Sequence, residues 1–184
     1  MSIRVLRASD HRRMPWKNGR GETVEIAVFP GGAGLDDFQW RVSMAGVTED
    51  GEFSIFPGID RTLAVLSGEG IELHVARRGP QRLTRDSDPL AFPADAPTAA
   101  RLVQGPITDL NVMTRRGQYS HRLARDAGPC DLRLILATAP LTLSLAGQVH
   151  ALGPLDVLYC DGPEAALPPG PVTNAWLIEI SRAT

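Results

Sequence analysis

Apolar and polar residues alternate along most of the chain with a period of two, which is typical of β-strands with one buried face. In Glu22–Phe29, for example, Val24, Ile26 and Val28 fall on one face of the predicted strand. Turns rich in glycine and proline separate such segments, which favours many short strands. A short strand is predicted at 3–5. The other predicted strands are 38–45, 62–66, 71–75, 90–93, 98–103, 108–114, 132–138, 141–145, 149–152, 157–160 and 175–180.

Two segments depart from this pattern. Residues 9–13 suggest a single helical turn, and the polar stretch 115–128 suggests a helix or a linker. A weak internal repeat lies on either side of the second segment, because Leu155–Tyr159 resembles Ser87–Phe92. The sequence therefore predicts an all-β chain of two small β units in tandem. The first spans 1–118 and the second, reduced unit spans 119–184.

Five polar residues occupy strand faces that are otherwise largely apolar. They are Arg41, Ser43, Arg61, Asp109 and Asn111. Because side chains repeat every two residues, Arg41 and Ser43 share one face of their strand, and Asp109 and Asn111 share one face of theirs. For Asp109 and Asn111, capping of a strand end is an equally simple interpretation.

The stretch MPWKNGRGETVE, near the amino terminus, has the composition of a pocket entrance. Lys17 is the single lysine beside 18 arginines, which suggests a role for its compact ammonium group. Trp16 offers a flat apolar wall, and Asn18 can donate and accept hydrogen bonds. Gly19 and Gly21 let the backbone approach a ligand closely. The alternative is an ordinary glycine-rich turn with a packed tryptophan.

Composition excludes several functional classes. The 184 residues carry a net charge of −2 and form no basic block, which argues against a nucleic-acid surface. No apolar run approaches the roughly 20 residues that cross a bilayer, so we expect a soluble, cytoplasmic protein without a membrane partner. Cys130 and Cys160 lack the spacing of a zinc site. Of the four histidines, His11 and His121 are expected to be exposed. Glu72 and His74 resemble half a metal site, but without a third ligand a solvated strand face is the better interpretation.

Three long motifs resemble the signatures of the HutD/Ves family. They are MPWKNGRGET, WRVSMAGVTEDGEFSIFPGIDRTLAVLSGEGIEL and GPITDLNVMTRRG, and together they make the resemblance strong over residues 3–118. The resemblance implies a bicupin, meaning two tandem antiparallel β-sandwich or barrel units with little helix. It also implies a protein without established enzymatic activity. Family members are associated with histidine utilisation, where a regulatory, ligand-binding role is proposed, or with stress responses.

The metal-binding motif of cupins provides a check on this resemblance. When the motif is anchored on Gly68, its glutamate position falls on Arg61 and its last histidine position falls on Thr98. The remaining two histidine positions carry no ligand-type residue either. A guanidinium repels a divalent ion, so we expect neither a metal nor another cofactor.

A guanidinium inside a β-barrel requires a negative partner. Asp60, Glu25 and Asp109 are the candidates within the chain, and a bound anion is the alternative. If the partner is a bound anion, Arg61 would donate two hydrogen bonds to the carboxylate group of that anion. The predicted ligand-binding set is Trp16, Lys17, Asn18, Arg41, Ser43, Arg61, Asp109 and Asn111.

Three functions are compatible with these observations. The first is a non-catalytic protein that senses a small anionic metabolite. The second is a metal-free isomerase or hydrolase in which Asp109 or Glu25 is the base and Lys17 the acid. The third is a structural or partner-binding module. We expect the first, and a homodimer is compatible with the sequence.

Overall fold

The computed structural model describes residues 2–16, 19, 21–162 and 172–183. Within these ranges, no helical segment has both the length and the apolar character needed to cross a bilayer. A three-residue 3₁₀ helix lies at Ala8–Asp10. The described strands are β1 (Ile3–Leu6), β2 (Arg12–Pro15), β3 (Gly21–Phe29), β4 (Trp40–Val47), β5 (Gly51–Glu52), β6 (Ile59–Ser67), β7 (Ile71–Val75), β8 (Gln81–Leu83), β9 (Leu90–Pro93), β10 (Thr98–Leu102), β11 (Ile107–Arg115), β12 (Tyr119–Ala124), β13 (Leu132–Ala137), β14 (Leu141–Leu145), β15 (Gln148–Leu152), β16 (Val157–Asp161) and β17 (Ala175–Arg182).

The chain divides into two compact units. The large unit is Arg12–Gln118, and the small unit combines Met1–His11 with Tyr119–Thr184. The sequence predicted a first unit of residues 1–118, whereas in the structure the first eleven residues belong to the small unit. The reason is that β1 pairs antiparallel with β16, so the amino-terminal strand completes the sheet of the small unit.

The large unit is built from two antiparallel sheets. A six-stranded sheet has the order β2-β3-β4-β11-β6-β9, and a four-stranded sheet has the order β5-β10-β7-β8. Buried residues from both sheets, including Leu63 and Val65 of β6 with Ile71 and Leu73 of β7, form one apolar cluster. We call the side of the six-stranded sheet that carries these residues the interior face.

The small unit contains a five-stranded sheet of order β1-β16-β13-β17-β12 and the hairpin β14-β15. Its apolar cluster includes Ile135 of β13, Leu158 of β16 and Leu177 of β17. The strands β9 and β16, which carry the weak sequence repeat, flank β6 and β13 respectively. Topology therefore supports the repeat that the sequence suggested.

The predicted helix or linker at 115–128 is wrong for much of its length. Residues Tyr119–Ala124 form β12, which pairs with residues 177–182 of β17. Its exposed residues, Ser120 and Arg122, alternate with more buried ones, as expected for a strand with one solvated face. The predicted helical turn at 9–13 is also displaced, because the 3₁₀ helix ends at Asp10 and Arg12 already belongs to β2.

Candidate functional site

The register of three adjacent strands brings the predicted polar residues together. Asn111 of β11 lies directly opposite Ser43 of β4, and Met113 lies opposite both Arg41 and Arg61. Directly opposite residues of an antiparallel pair point to the same side of the sheet. All five predicted strand residues, Arg41, Ser43, Arg61, Asp109 and Asn111, therefore lie on the interior face, and all five are buried.

Arg61 is held by an amide and by aromatic rings. Its Nε and Nη2 donate to Oδ1 of Asn111, at 2.8 Å and 2.5 Å. Its guanidinium carbon lies 4.4 Å from the ring centroid of Phe53 and 5.8 Å from that of Phe92, at cation–π distance. Burial lowers the pKa of Arg61 to about 10, against the opposing field of Asp109, so the side chain stays charged at neutral pH.

No carboxylate within the described ranges lies in salt-bridge contact with Arg61. Asp60, one candidate partner, instead bonds the surface residue Arg116 at 2.8 Å. The second candidate, Glu25, accepts from Nε of Arg41 at 2.7 Å, and that pair is almost buried. Glu25 and Arg41 approach each other next to a register shift in β3, between Glu25 and Ala27.

Asp109, the third candidate, reaches Arg61 only through Asn111. Nδ2 of Asn111 donates to Oδ1 of Asp109 at 2.5 Å, so the amide links a cation to a carboxylate. Oδ2 of Asp109 is buried and has no hydrogen-bond partner among the described atoms. Burial raises the pKa of Asp109 to about 6, although the positive charge of Arg61 acts in the opposite direction.

Trp16 closes one part of the interior face. Its Nε1 donates to Oγ1 of Thr23 at 2.8 Å, and its ring packs against the apolar cluster of the large unit. Lys17 and Asn18, the other two predicted entrance residues, lie outside the described residues. Gly21 follows them, and its backbone carbonyl accepts from the amide of Trp16 at 2.9 Å.

A side chain at Gly21 would disturb this arrangement. A Cβ atom there would overlap the carbonyl oxygen of Gly46 and lie 3.0 Å from the Trp16 ring. We expect Gly21→Ala to lower the free energy of unfolding by about 1–3 kcal/mol, as overpacking does elsewhere. Gly51→Ala is the matched control, because a Cβ at Gly51 meets nothing within 4 Å. Urea unfolding of both variants tests this, and equal stabilities would contradict it.

Sequence reasoning missed the aromatic contacts of Arg61. Phe92 lies directly opposite Arg61 only because β9 pairs with β6, and this long-range pairing leaves no local signal.

The prediction for His11 was wrong, since the side chain is 8% exposed and its Nε2 lies 3.1 Å from the carbonyl oxygen of Leu155. His74 and Glu72 do form a half-exposed pair at 2.6 Å. Among the described residues, no three or more His, Cys, Asp or Glu side chains cluster as metal ligands.

A family comparison identifies the chain. The HutD family model matches residues 8–169, which is most of the sequence. The chain belongs to the HutD family. The uncharacterized 21.2 kDa protein in the hutC 3′ region of Pseudomonas putida is 37% identical over 173 residues, which is 90% of each chain. Protein Ves of Citrobacter koseri is 41% identical over 111 residues, or 58% of this chain and 56% of Ves.

Solved structures agree on the architecture. HutD from Pseudomonas fluorescens SBW25, solved in a formate condition, superposes with a TM-score of 0.83 at 34% identity, and the match covers 100% of both chains. The Escherichia coli protein Ylba shares only 9% identity but superposes with a TM-score of 0.66 over 98% of this chain and 90% of its own, which shows a common fold alone. The predicted all-β bicupin fold of the HutD/Ves type is thus confirmed.

Proposed function

We propose that this HutD-family protein is a non-catalytic sensor that binds a small anionic carboxylate on the interior face of its large unit. The observation that supports this most directly is Arg61, a buried and charged guanidinium whose hydrogen-bond partner is a neutral amide. A carboxylate ligand would supply the negative charge that its described neighbours do not place in contact with it.

The other residues of the predicted set have distinct roles in this proposal. Arg41, which is paired with Glu25 and lies on the same face, would help Arg61 to fix the carboxylate. Ser43 and Asn111 provide polar contacts, and Trp16 provides an apolar wall. Lys17 and Asn18 would complete the entrance, as the sequence predicts.

Asp109 would make binding dependent on pH. Its carboxylate and an anionic ligand would compete for the positive potential of Arg61, so the ligand favours the protonated form of Asp109. With a pKa of about 6 for Asp109 in the ligand-free protein, binding near neutral pH would be accompanied by uptake of a proton. No metal takes part in the proposal, because Arg61 occupies the position of a carboxylate ligand in metal-bearing cupins.

A regulatory role in histidine utilisation is part of the proposal. It is supported by family membership and by the relative in the hutC 3′ region of Pseudomonas putida, which covers 90% of this chain. A metabolite of that process with a free carboxylate would then be the natural ligand.

The proposal predicts specific stabilisation by carboxylates. Formate, the smallest carboxylate, and a series of larger acids are titrated at constant ionic strength and pH 7, and the melting temperature is recorded. At least one acid should raise it, because a ligand that binds only the folded state stabilises that state by mass action. Arg61→Lys, which keeps the charge but loses the forked donor geometry, should weaken binding by about tenfold or more.

The matched control is Arg116→Lys, since Arg116 is an exposed arginine paired with Asp60 and Asp95. This variant should bind as tightly as the wild-type protein. If no acid stabilises the protein, or if Arg61→Lys binds as well as wild type, Arg61 does not receive a carboxylate.

A metal-free enzyme remains the second candidate because of Asp109. A buried carboxyl with a pKa of about 6, and with an oxygen that no described atom hydrogen-bonds, has the properties of a general base. Turnover of an acid that binds, abolished in Asp109→Asn while binding persists, would favour this function over sensing. Absence of any turnover by wild type would favour sensing.

A further inference from the structure

The small unit contains a buried arginine at a position equivalent to that of Arg61. Arg133 is the second residue of β13, and Arg61 is the third residue of β6. In each unit this strand lies between a long final strand and a shorter strand. Arg61 faces Met113 of β11 and Phe92 of β9 across the sheet, and Arg133 faces Glu179 of β17 and Cys160 of β16.

Arg133 is more deeply buried than Arg61, with 1% of its surface exposed. Its Nη2 donates to Oε1 of Glu179 at 2.9 Å and to the carbonyl oxygen of Gly128. Its Nε and Nη1 are buried and have no hydrogen-bond partner among the described atoms. Buried charged donors are rarely left without an acceptor, because water no longer solvates them.

Glu179 cannot supply the missing acceptor. Its Oε1 already accepts from the amide of Gly128 at 2.6 Å as well as from Arg133. Its Oε2 accepts from Nη1 of Arg122 at 2.9 Å. One carboxylate, itself 3% exposed, therefore serves two guanidiniums. Asp126, the remaining acid of this cluster, bonds Arg122 at the surface and is 65% exposed. The two arginines and two acids therefore balance in charge, and what remains unsatisfied among the described atoms is the pair of N–H groups on Arg133.

A cavity of about 340 Å³ leads towards this cluster. It is lined by the two groups that hold Nη2 of Arg133, namely Glu179 and Gly128, and by polar residues of β12 and β17 that include Ser120, Arg122 and Ser181. Arg133 does not itself line the cavity, but two of the groups that line it, Glu179 and Gly128, are direct hydrogen-bond partners of that arginine.

We propose that the small unit binds a second small monovalent anion, a halide or a carboxylate of the size of formate, at the N–H groups of Arg133 that its protein partners leave unused. The anion accepts hydrogen bonds from the guanidinium N–H groups that have no other acceptor among the described atoms. Large or divalent anions are excluded, since the neighbouring residues on this face, among them Ile135 and Leu177, belong to the apolar core.

Crystals of the full chain grown in sodium bromide test this directly, because bromide scatters anomalously. The expected result is an anomalous peak within hydrogen-bond distance of Arg133. A water molecule in that place, or bromide peaks found only elsewhere, would overturn the proposal. This measurement needs only the wild-type protein, so it tests anion binding at Arg133 even if a variant fails to fold.

Solution measurements extend the test to carboxylates. Urea unfolding is followed at constant ionic strength in increasing bromide, or in increasing formate in the Arg61→Lys background, so that the carboxylate site of the large unit does not add to the effect. At ten times the dissociation constant, the anion should raise the folding equilibrium constant about elevenfold. Arg133→Lys, which retains the charge facing Glu179 but lacks Nε and Nη1, should lose this increase. The same increase in Arg133→Lys and wild type would show that the anion does not bind at Arg133. Arg61→Lys separates the two sites, because it should retain the bromide peak at Arg133.

Discussion

Glu179→Gln is expected to lower the free energy of unfolding by about 3–5 kcal/mol, because removing one partner of a buried ion pair leaves an uncompensated charge. Glu179 is the one carboxylate within the described ranges that contacts Arg133, and it also accepts from the backbone amide of Gly128. Glutamine keeps the shape of the side chain but not its charge. Urea unfolding in a buffer without halide or formate measures the effect.

Asp126→Asn is the control for this result. Asp126 pairs with Arg122, which also bonds Glu179, but Asp126 is 65% exposed. Exposed ion pairs contribute only about 0–1 kcal/mol to the free energy of unfolding. A double variant, Arg133→Met with Glu179→Leu, should recover much of the stability, since apolar residues of similar size often replace a buried pair without loss. If Glu179→Gln and Asp126→Asn lower the free energy of unfolding by the same amount, the buried pair is not the main electrostatic contribution to the stability of this cluster.

Asp109→Asn is expected to stabilise the protein at pH 7 and to remove part of the pH dependence of stability. In the folded protein the pKa of Asp109 is about 6, above its ordinary value of 3.8, so the folded state binds this proton more tightly than the unfolded chain. The stability from this group is complete below pH 4 and is lost as the pH rises through 6. A difference of about two pKa units corresponds to about 3 kcal/mol.

The measurement compares wild type and Asp109→Asn by urea unfolding from pH 4.5 to pH 8. The difference between the two isolates Asp109 from the other acids, among them Asp95 and Asp161, whose pKa values are lowered. Asparagine can still accept the hydrogen bond from Asn111, so the local geometry should persist. A constant difference between the two proteins across this pH range would show that Asp109 titrates normally.

The sequence indicated which polar residues share a strand face, but not which of them contact one another. Alternation along single strands was enough to place Arg41 beside Ser43 and Asp109 beside Asn111. It could not show that Asn111 joins Arg61 to Asp109, or that Glu25 belongs to Arg41. These partners depend on the register between strands that are distant in sequence, and that register is set by packing of the whole sheet.

The small unit shows a different reason for a missed prediction. Arg133 and Glu179 each interrupt an apolar run, Leu132–Ala137 and Ala175–Ile180, and a single charge within such a run was a usable signal. The boundary segment was misjudged because an edge strand such as β12 is polar enough to resemble a linker. The first eleven residues were misplaced because β1 and β16 are about 150 positions apart in the chain.

The sequence by itself determined the all-β class, the HutD family and the residues that face one side of each strand, because these follow from local alternation and from motifs. Tertiary structure alone decided which charges meet. Arg61 contacts an amide and aromatic rings, and Arg133 shares Glu179 with Arg122. One oxygen of Asp109 has no hydrogen-bond partner within the part of the chain that the structure describes. The physical reason is that charge pairing in a barrel interior acts over a few ångströms between strands, and sequence order does not specify those distances.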